Sequence, residues 1–256
     1  MKKVMIVGCT SGYGSALASV CKRDGWTIVG ISRSKPESSL LDTHYVVSDF
    51  RNLDDYKKDI ETVLREQIDV DLVVFVAGSV VLKSKNEYAQ NDIQEVYANN
   101  FGYVYETIRK CDELGLSPDI ITFGSQWSYR EGEDLLYWYS IMKHALKNLI
   151  LSYNSKKPEQ TLQHFCVPTT KTDTAIKILE FASKISFNKL DFDDSITTEI
   201  VGKELMASYL NKKDERLFVW KDGLFVAIPP TEAKTKFDSI FAGLEKYSYQ
   251  DIINNI

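Results

Sequence analysis

Three side chains within one stretch of this chain have the types and spacing for proton chemistry on a substrate oxygen. Tyr139 and Lys143 are four residues apart, which puts both on one face of a helix. A phenol ordinarily titrates near ~10, and a neighbouring ammonium favours the phenolate and lowers that value. A phenol tuned in this way can give or take a proton near neutral pH. Ser125 stands just beyond the apolar run Ile120–Phe123, which reads as a buried strand, and from its tip a hydroxyl can reach the same space. The competing reading of Tyr139 is an aromatic core stripe, because Tyr137 and Trp138 precede it.

A second set of residues could supply a partner for that proton. Gly8-Cys9-Thr10-Ser11-Gly12-Tyr13-Gly14 follows the apolar run Val4–Val7 and precedes a segment with Leu17, Val20 and Cys21 on one helical face. Glycines in such a turn let backbone N–H groups and a helix N-terminus approach a pyrophosphate. The spacing is G-x-x-x-G-x-G, which departs from the general G-x-G-x-x-G fingerprint. After the next apolar run come Ser32 and Arg33, with no carboxylate before Glu37. An acidic residue about there would hold a ribose 2′-hydroxyl, whereas an arginine accommodates a 2′-phosphate. The expectation is NADP(H), with Arg33 on the phosphate and Ser32 donating to it. A solvated surface arginine is the alternative.

The elements that must position these groups alternate along the chain. Strands are expected at Val4–Val7, Thr27–Ile31, Tyr45–Val47, Leu72–Ala77, Ile120–Phe123 and Phe165–Val167. Leu53, Tyr56, Ile60, Val63 and Leu64 repeat with helical period behind Asn52, a plausible N-cap. Further helical segments run up to Tyr97 and through Phe101, Val104, Tyr105, Ile108 and Cys111. This alternation predicts an α/β fold, a doubly wound, Rossmann-like parallel sheet with helices on both faces. No linker or repeat divides the chain, so one domain over 1–256 is expected. Residues 1–170 would be its cofactor and catalytic core, and 171–256 a substrate loop and C-terminal extension. There, Thr197–Leu210 reads as a helix. Arg216–Trp220 and Leu224–Ile228 flank Lys221-Asp222-Gly223 as a hairpin, or as a last strand plus an extension.

Composition narrows the possibilities. A net charge of −5 without a run of Lys or Arg argues against nucleic acid as a partner. The four cysteines, Cys9, Cys21, Cys111 and Cys166, are far apart and show no metal spacing. Reduced thiols in a cytoplasmic protein are the expectation. Three scattered histidines speak against a metal site, and no stretch is long and apolar enough to span a membrane.

The glycine turn, Ser125 and Tyr139-x-x-x-Lys143, in this order, resemble the short-chain dehydrogenase/reductase family, in its compact, NADP-preferring branch. The resemblance implies an oxidoreductase that moves a hydride between NADPH and a small-molecule carbonyl or alcohol substrate. Tyr139 would be the general acid/base, and Lys143 would lower its pKa and hold the nicotinamide ribose. Ser125 would bind the substrate oxygen. The family's fourth catalytic position, an Asn in N-x-x-G, falls on Asn99, with Asn100 as rival. Asp49-Phe50 resembles the adenine contact, and Thr172 is expected near the nicotinamide carboxamide. Cofactor contacts are further implied for Ala77 and Gly78. The family's N-N-A-G is Phe75-Val76-Ala77-Gly78 here, and its P-G is Pro168-Thr169.

Two other functions stay open: a dinucleotide-binding regulatory protein without turnover, and a nucleotide-sugar epimerase or dehydratase. Between Ser125 and Tyr139, the residues Gln126, Trp127, Tyr129, Arg130, Glu131, Glu133 and Asp134 suggest a polar or ring-shaped substrate, with a solvated loop as the equal alternative. The active-site helix carries Trp138, Met142, Ala145 and Leu149 on one face and Leu146 and Ile150 on another. Apolar faces of that extent suggest a subunit interface, and the resemblance implies a homodimer or homotetramer. A last amphipathic helix is expected around Phe237, Ile240, Phe241 and Leu244.

Overall fold

The computed structural model describes residues 2–35, 39–125, 136–153, 160–184 and 195–228. The expectations at Glu37, on the loop from Gln126 to Asp134 and on the helix around Phe237 lie outside these residues.

Eight strands form one sheet in the order β3-β2-β1-β4-β5-β6-β7-β8. They are β1 (Lys3–Val7), β2 (Thr27–Ser32), β3 (Thr43–Val46), β4 (Leu72–Phe75), β5 (Asp119–Ser125), β6 (Leu162–Val167), β7 (Leu217–Lys221) and β8 (Leu224–Ala227). All neighbouring pairs are parallel except β7 and β8, which pair antiparallel. The doubly wound Rossmann-like sheet expected from the sequence is therefore present, with β1 to β6 followed by the C-terminal pair β7 and β8. The C-terminal segment is both a hairpin and a last parallel strand: β7 joins β6, and β8 folds back through Asp222 and Gly223, both at positive φ.

The helices are α1 (Gly12–Arg23), α2 (Leu53–Glu66), α3 (Gln90–Tyr97), α4 (Tyr103–Glu113), α5 (Tyr137–Ser152), α6 (Asp173–Lys184) and α7 (Thr198–Asn211). Parallel strands covered on both sides must be apolar on both faces, and β1 shows why its residues alternate between two cores. Val4 and Ile6 pack with Leu17 of α1 and Leu205 of α7, while Met5 and Val7 pack with Tyr56 of α2 and Leu146 of α5. Asn52 caps α2 by accepting from Asp55 N at 3.3 Å. Thr197 caps α7 in the same way, accepting from Ile200 N at 3.3 Å.

Two boundaries differ from the sequence reading in ways that matter for the site. The segments ending at Tyr97 and running through Phe101 are one continuous helix, α3 passing into α4 through a π turn at Ala98–Gly102. Such turns hold an extra residue per turn and re-aim the side chains around them. β5 continues to Ser125, two residues past the apolar run Ile120–Phe123, which keeps this serine at the tip of the strand.

The turn after β1 is packed against the strand ends. Gly8 has φ +96°, and a Cβ there would lie 2.6 Å from Ala77 N. A Cβ on Gly14 would lie 1.9 Å from Gly8 O, a backbone atom that cannot move aside cheaply. Gly14→Ala is expected to lower the unfolding free energy by about 2 kcal/mol or more. Urea denaturation measures this, and a value within about 0.5 kcal/mol of wild type would contradict the packing argument.

Candidate active site

A cleft of about 400 Å³ opens at the C-terminal ends of β1, β2, β4, β5 and β6. This is where an open parallel sheet binds ligands, at the reversal of strand order between β1 and β4.

One end of the cleft is the glycine turn. Gly8, Thr10, Ser11, Gly12 and Tyr13 line it, and Gly14 is buried beneath them, where its missing Cβ lets the helix start close to Gly8. Ser11 precedes α1 without a side-chain cap. The first N–H groups of the helix thus lack a side-chain acceptor and carry the partial positive charge of the helix dipole. Glycines whose Cβ positions are filled by backbone, together with an uncapped helix start, fit a pyrophosphate.

The turn is tied to the far side of the cleft. Tyr13 donates its phenol to Pro168 O at 2.8 Å and accepts from Thr170 Oγ1 at 2.8 Å, while its ring packs on Phe123. Thr172 lines the cleft, 3.5 Å from where a Cβ on Gly12 would stand, and its hydroxyl accepts from Ala175 N at the start of α6. Val76, Ala77 and Gly78 form the opposite wall. Their backbone is fixed without the family's asparagines: Val76 N and Ala77 N donate to Val7 O, and the buried Tyr103 phenol donates to Ala77 O at 2.7 Å.

Near the ends of β2 and β3, Ser32, Arg33, Ser34 and Phe50 line the cleft. Ser32 lies where the sequence places it, at the end of β2, and its hydroxyl is engaged within the protein. Its hydroxyl is buried, donates to Ser34 O at 2.6 Å and pairs with His44 Nε2 at 2.8 Å. That proton is committed within the protein. Arg33 is the group left extending into solvent, with its side chain 56% exposed and its guanidinium 3.5 Å from Asp49. Asp49 does not line the cleft in this structure; its carboxylate is held by Arg51, which keeps it below the usual carboxylate range.

The other end holds Tyr139, Lys143 and Ser125. Their positions follow from α5 packing against β5 and β6. Tyr139 and Lys143 line the cleft from the same face of α5, with the ammonium 5.7 Å from the phenol ring centre. A hydrogen bond joins Tyr139 to Ser125 at the strand end. Lys143 is 4% exposed and donates from Nζ to Phe123 O at 3.1 Å.

Burial dominates the protonation of both groups. It pushes the Lys143 ammonium down to about 8 and the Tyr139 phenol up to about 12, with the Ser125 hydrogen bond opposing the second shift. The lowering of Tyr139 expected from its cationic neighbour is therefore not what this site displays. The loss of water outweighs the attraction, and at neutral pH the pair is a neutral phenol beside an ammonium.

The π turn separates the two asparagines. Asn99 lines the cleft. Asn100 is fully buried, donates through Nδ2 to Ser79 O at 2.8 Å and Val96 O at 2.9 Å, and has no partner at Oδ1. A Cβ on Gly78 would lie 3.0 Å from Asn100 Oδ1 and 3.3 Å from Lys143 Nζ. Gly78 is thus the gap across which the amide oxygen and the ammonium approach each other.

Behind Lys143 lies a layer of buried polar groups that sequence reasoning missed. His164, in register with Thr122, shares a hydrogen bond through Nδ1 with Thr122 Oγ1 at 2.8 Å. Its Nε2 would lie 2.3 Å from a Cβ on Gly124, so the ring occupies the space that glycine leaves. Burial, followed by the charges of Lys143 and Lys147, holds His164 well below its ordinary value and keeps it neutral. Lys147, one turn beyond Lys143 and 1% exposed, meets His144 Nε2 at 3.3 Å. Two of the three histidines that look scattered in sequence thus lie close enough behind the site for His144 to add to the lowering of His164. Among the described residues no group of three or more ligating side chains could hold a metal ion, and no helix is long and apolar enough to cross a membrane.

A family model, described as short chain dehydrogenase, matches residues 2–183. Many solved structures share the fold. One is a short chain dehydrogenase family protein from Francisella tularensis subsp. tularensis SCHU S4, with 19% identity over 83% of this chain and 92% of that one, at a TM-score of 0.65. Another is a putative NAD(P) dependent gluconate 5-dehydrogenase from Beutenbergia cavernae with bound NADP, with 18% identity, coverage of 85% and 94%, and a TM-score of 0.68. A third is a 3-ketoacyl-(acyl-carrier-protein) reductase from Brucella melitensis complexed with NADH, with 17% identity, coverage of 82% and 91%, and a TM-score of 0.63. No curated protein sequence matches the chain.

The Lys143 ammonium gives a stability signature that does not depend on turnover. Its folded pKa of about 8 lies below the ordinary lysine value. Between the two, the unfolded chain binds more protons than the folded one, so stability rises with pH. Relative to Lys143→Met, the wild type is expected to gain on the order of 3 kcal/mol between about pH 8 and pH 10.5. Denaturant unfolding of both proteins across that range measures it, and parallel pH profiles would contradict the burial of a charged Lys143.

Proposed function

The chain belongs to the short chain dehydrogenase family, and we propose that it is an NADP(H)-dependent oxidoreductase acting on a small carbonyl or alcohol. The observation that carries this reading is the neutral Tyr139 phenol, hydrogen-bonded to Ser125 and flanked by the Lys143 ammonium, in the same cleft as an uncapped helix start behind a glycine turn. The bound nicotinamide would supply or accept the hydride. Relatives solved with NADP and with NADH show that the fold accepts either form. Arg33 at the end of β2 is the reason for proposing the phosphorylated one.

Each residue's proposed part follows from its surroundings. Tyr139 donates its proton to the substrate oxygen as that oxygen becomes an alkoxide, and recovers it in the reverse direction. Ser125 orients the phenol and donates to the same oxygen, countering its developing negative charge. Lys143, still mostly protonated at neutral pH, places a positive charge behind the phenol and would hold the nicotinamide ribose. Asn99 lines the cleft beside it, and Asn100 holds the Ser79 backbone and so shapes the wall. Thr172, fixed at the start of α6, faces the nicotinamide end.

The high phenol pKa gives the two directions opposite pH behaviour. Reduction needs the neutral phenol and proceeds across the neutral range. Oxidation needs the phenolate, so its rate is expected to climb as pH rises towards the Tyr139 value. Tyr139→Phe is expected to lower NADPH-dependent turnover by about 10²–10⁴-fold while leaving cofactor binding in place. A panel of aldehydes, ketones and sugar phosphates, assayed for NADPH oxidation, supplies the readout. Turnover within a few-fold of wild type in this variant would remove Tyr139 from the reaction.

The face of α5 that bears Trp138, Ala145 and Leu149 is only half-buried within the chain. We propose that a second copy covers it, in a homodimer or homotetramer. A monomer in light scattering at assay concentrations would exclude this.

A further inference from the structure

The last residues of β5 carry two contacts of the site, and a histidine to which the reaction above gives no part lies against them. Phe123 O accepts from Lys143 Nζ at 3.1 Å, and Ser125, two residues on, hydrogen-bonds Tyr139. Between them stands Gly124. From the position of a Cβ on this glycine, His164 Nε2 lies 2.3 Å and Cε1 2.9 Å away, with Cys166 Sγ next at 3.1 Å. The imidazole thus rests directly on the Gly124 backbone. Its other side is fixed by Thr122, whose Oγ1 is 2.8 Å from His164 Nδ1, and both residues are fully buried. Thr122 is the cross-strand partner of His164, whereas Gly124 is the partner of Cys166. The ring therefore leans from its own rung of the ladder to the next. Among the described residues its Nε2 has no hydrogen-bond partner. A polar group this buried ordinarily has one, so the ring is placed by Thr122 on one side and by packing on the other.

We propose that His164 is a positioning residue: held by Thr122, its ring is the seat of the Phe123–Ser125 backbone, and through that backbone it keeps Lys143 and Ser125 in place around Tyr139. Its catalytic consequence rests on the oxidoreductase reading; its coupling to Lys143 does not. The seat acts in two ways. One is geometric, because a displacement of about 1 Å in the groups that align a reaction costs on the order of 10²-fold in rate. The other is solvation. The ring occupies space on which the charges of Lys143, Lys147 and His144 all bear, so a cavity opened there is polar enough to take up water. Water beside the ammonium restores part of the solvation that burial removed, and moves Lys143 back towards its ordinary value. His164 itself stays neutral, held well below the usual histidine range, and adds no charge of its own to this balance.

Denaturant unfolding of the full chain between about pH 8 and pH 10.5, the range over which Lys143 marks stability, tests the coupling. Two pairs are compared: wild type with K143M, and H164N with H164N/K143M. Asparagine keeps a polar group beside Thr122 and vacates the space at Gly124. The stability that wild type gains over K143M as pH rises is expected to fall by at least half in the H164N pair. Tyr139, Lys147, His144 and Cys166, the other titratable groups around Lys143 and His164, are present in every arm. If His164 only fills space, H164N lowers stability equally at every pH, and an unchanged difference between the pairs would overturn the proposal. T122V, paired with T122V/K143M, applies the same test through a milder change that removes only the hydroxyl. Turnover is then read in the NADPH-oxidation assay, at a temperature where melts show each variant folded. H164N and T122V should lower kcat at least tenfold with KM for NADPH within threefold of wild type, while T122S, which keeps the hydroxyl, should retain at least half of the wild-type kcat. A kcat within twofold of wild type in H164N would overturn the catalytic role of the seat. A wild type without turnover on any member of the panel would overturn the oxidoreductase reading instead, and the unfolding experiment would still decide whether His164 and Lys143 are coupled.

Discussion

A lysine ammonium held in the interior by a backbone carbonyl is the constraint around which the site is built. Lys143 is nearly inaccessible and donates to Phe123 O at 3.1 Å. Burying a charge costs several kcal/mol unless polar groups replace the lost water. The residues around Nζ read as that replacement. The β5 carbonyl accepts from it, whereas Asn100 Oδ1, on the other side of the gap at Gly78, has no hydrogen-bond partner. His164 is kept neutral behind it, adding no second charge at that point. The same burial that makes Lys143 a weaker base makes the Tyr139 phenol a weaker acid. The two shifts have one cause, and they leave the pair in the protonation state that a reduction would need.

Holding α5 over β5 and β6 requires polar packing, and this explains the glycine at the strand end. The upper half of the helix–sheet contact contains Lys143, Lys147, His144, His164 and Thr122. The lower half is apolar, with Leu146 and Ile150 on Ile120 and Leu162. The His164 ring fills the space a Cβ would need at Gly124, so a side chain at that position would displace the buried histidine. At the opposite end, Tyr13 links the glycine turn to the segment after β6 through Pro168 and Thr170. The glycine turn is therefore tied across the cleft to the segment that follows β6.

Much of the architecture is legible because its signals are local. The apolar runs ending at Gly8 and Gly78 mark strands buried on both faces. The four-residue spacing of Tyr139 and Lys143 marks one helical face, and Asn52 and Thr197 cap the helices that follow them. Where the signal was local but incomplete, the reading slipped by a few residues. The π turn merges two helices across Ala98–Gly102 although that segment holds two asparagines and a glycine. Ser125 belongs to β5 because its pairing with Val167 extends the strand. The hairpin of β7 and β8 and the parallel pairing of β7 with β6 could not both be read from a turn at Asp222-Gly223, which says only that the chain reverses.

From its amino-acid order alone, this protein determines a doubly wound sheet, a glycine turn at the first strand, and a phenol and an ammonium on one face of a helix. Tertiary structure decided what those groups experience. It committed the Ser32 hydroxyl to Ser34 and His44, turned Arg33 and Arg51 onto Asp49, gave Asn99 and Asn100 different surroundings, and raised the Tyr139 pKa that its neighbour alone would have lowered. The division has a physical reason. Backbone periodicity and turn geometry depend on neighbours in sequence, whereas desolvation and charge pairing depend on which distant side chains take the place of water.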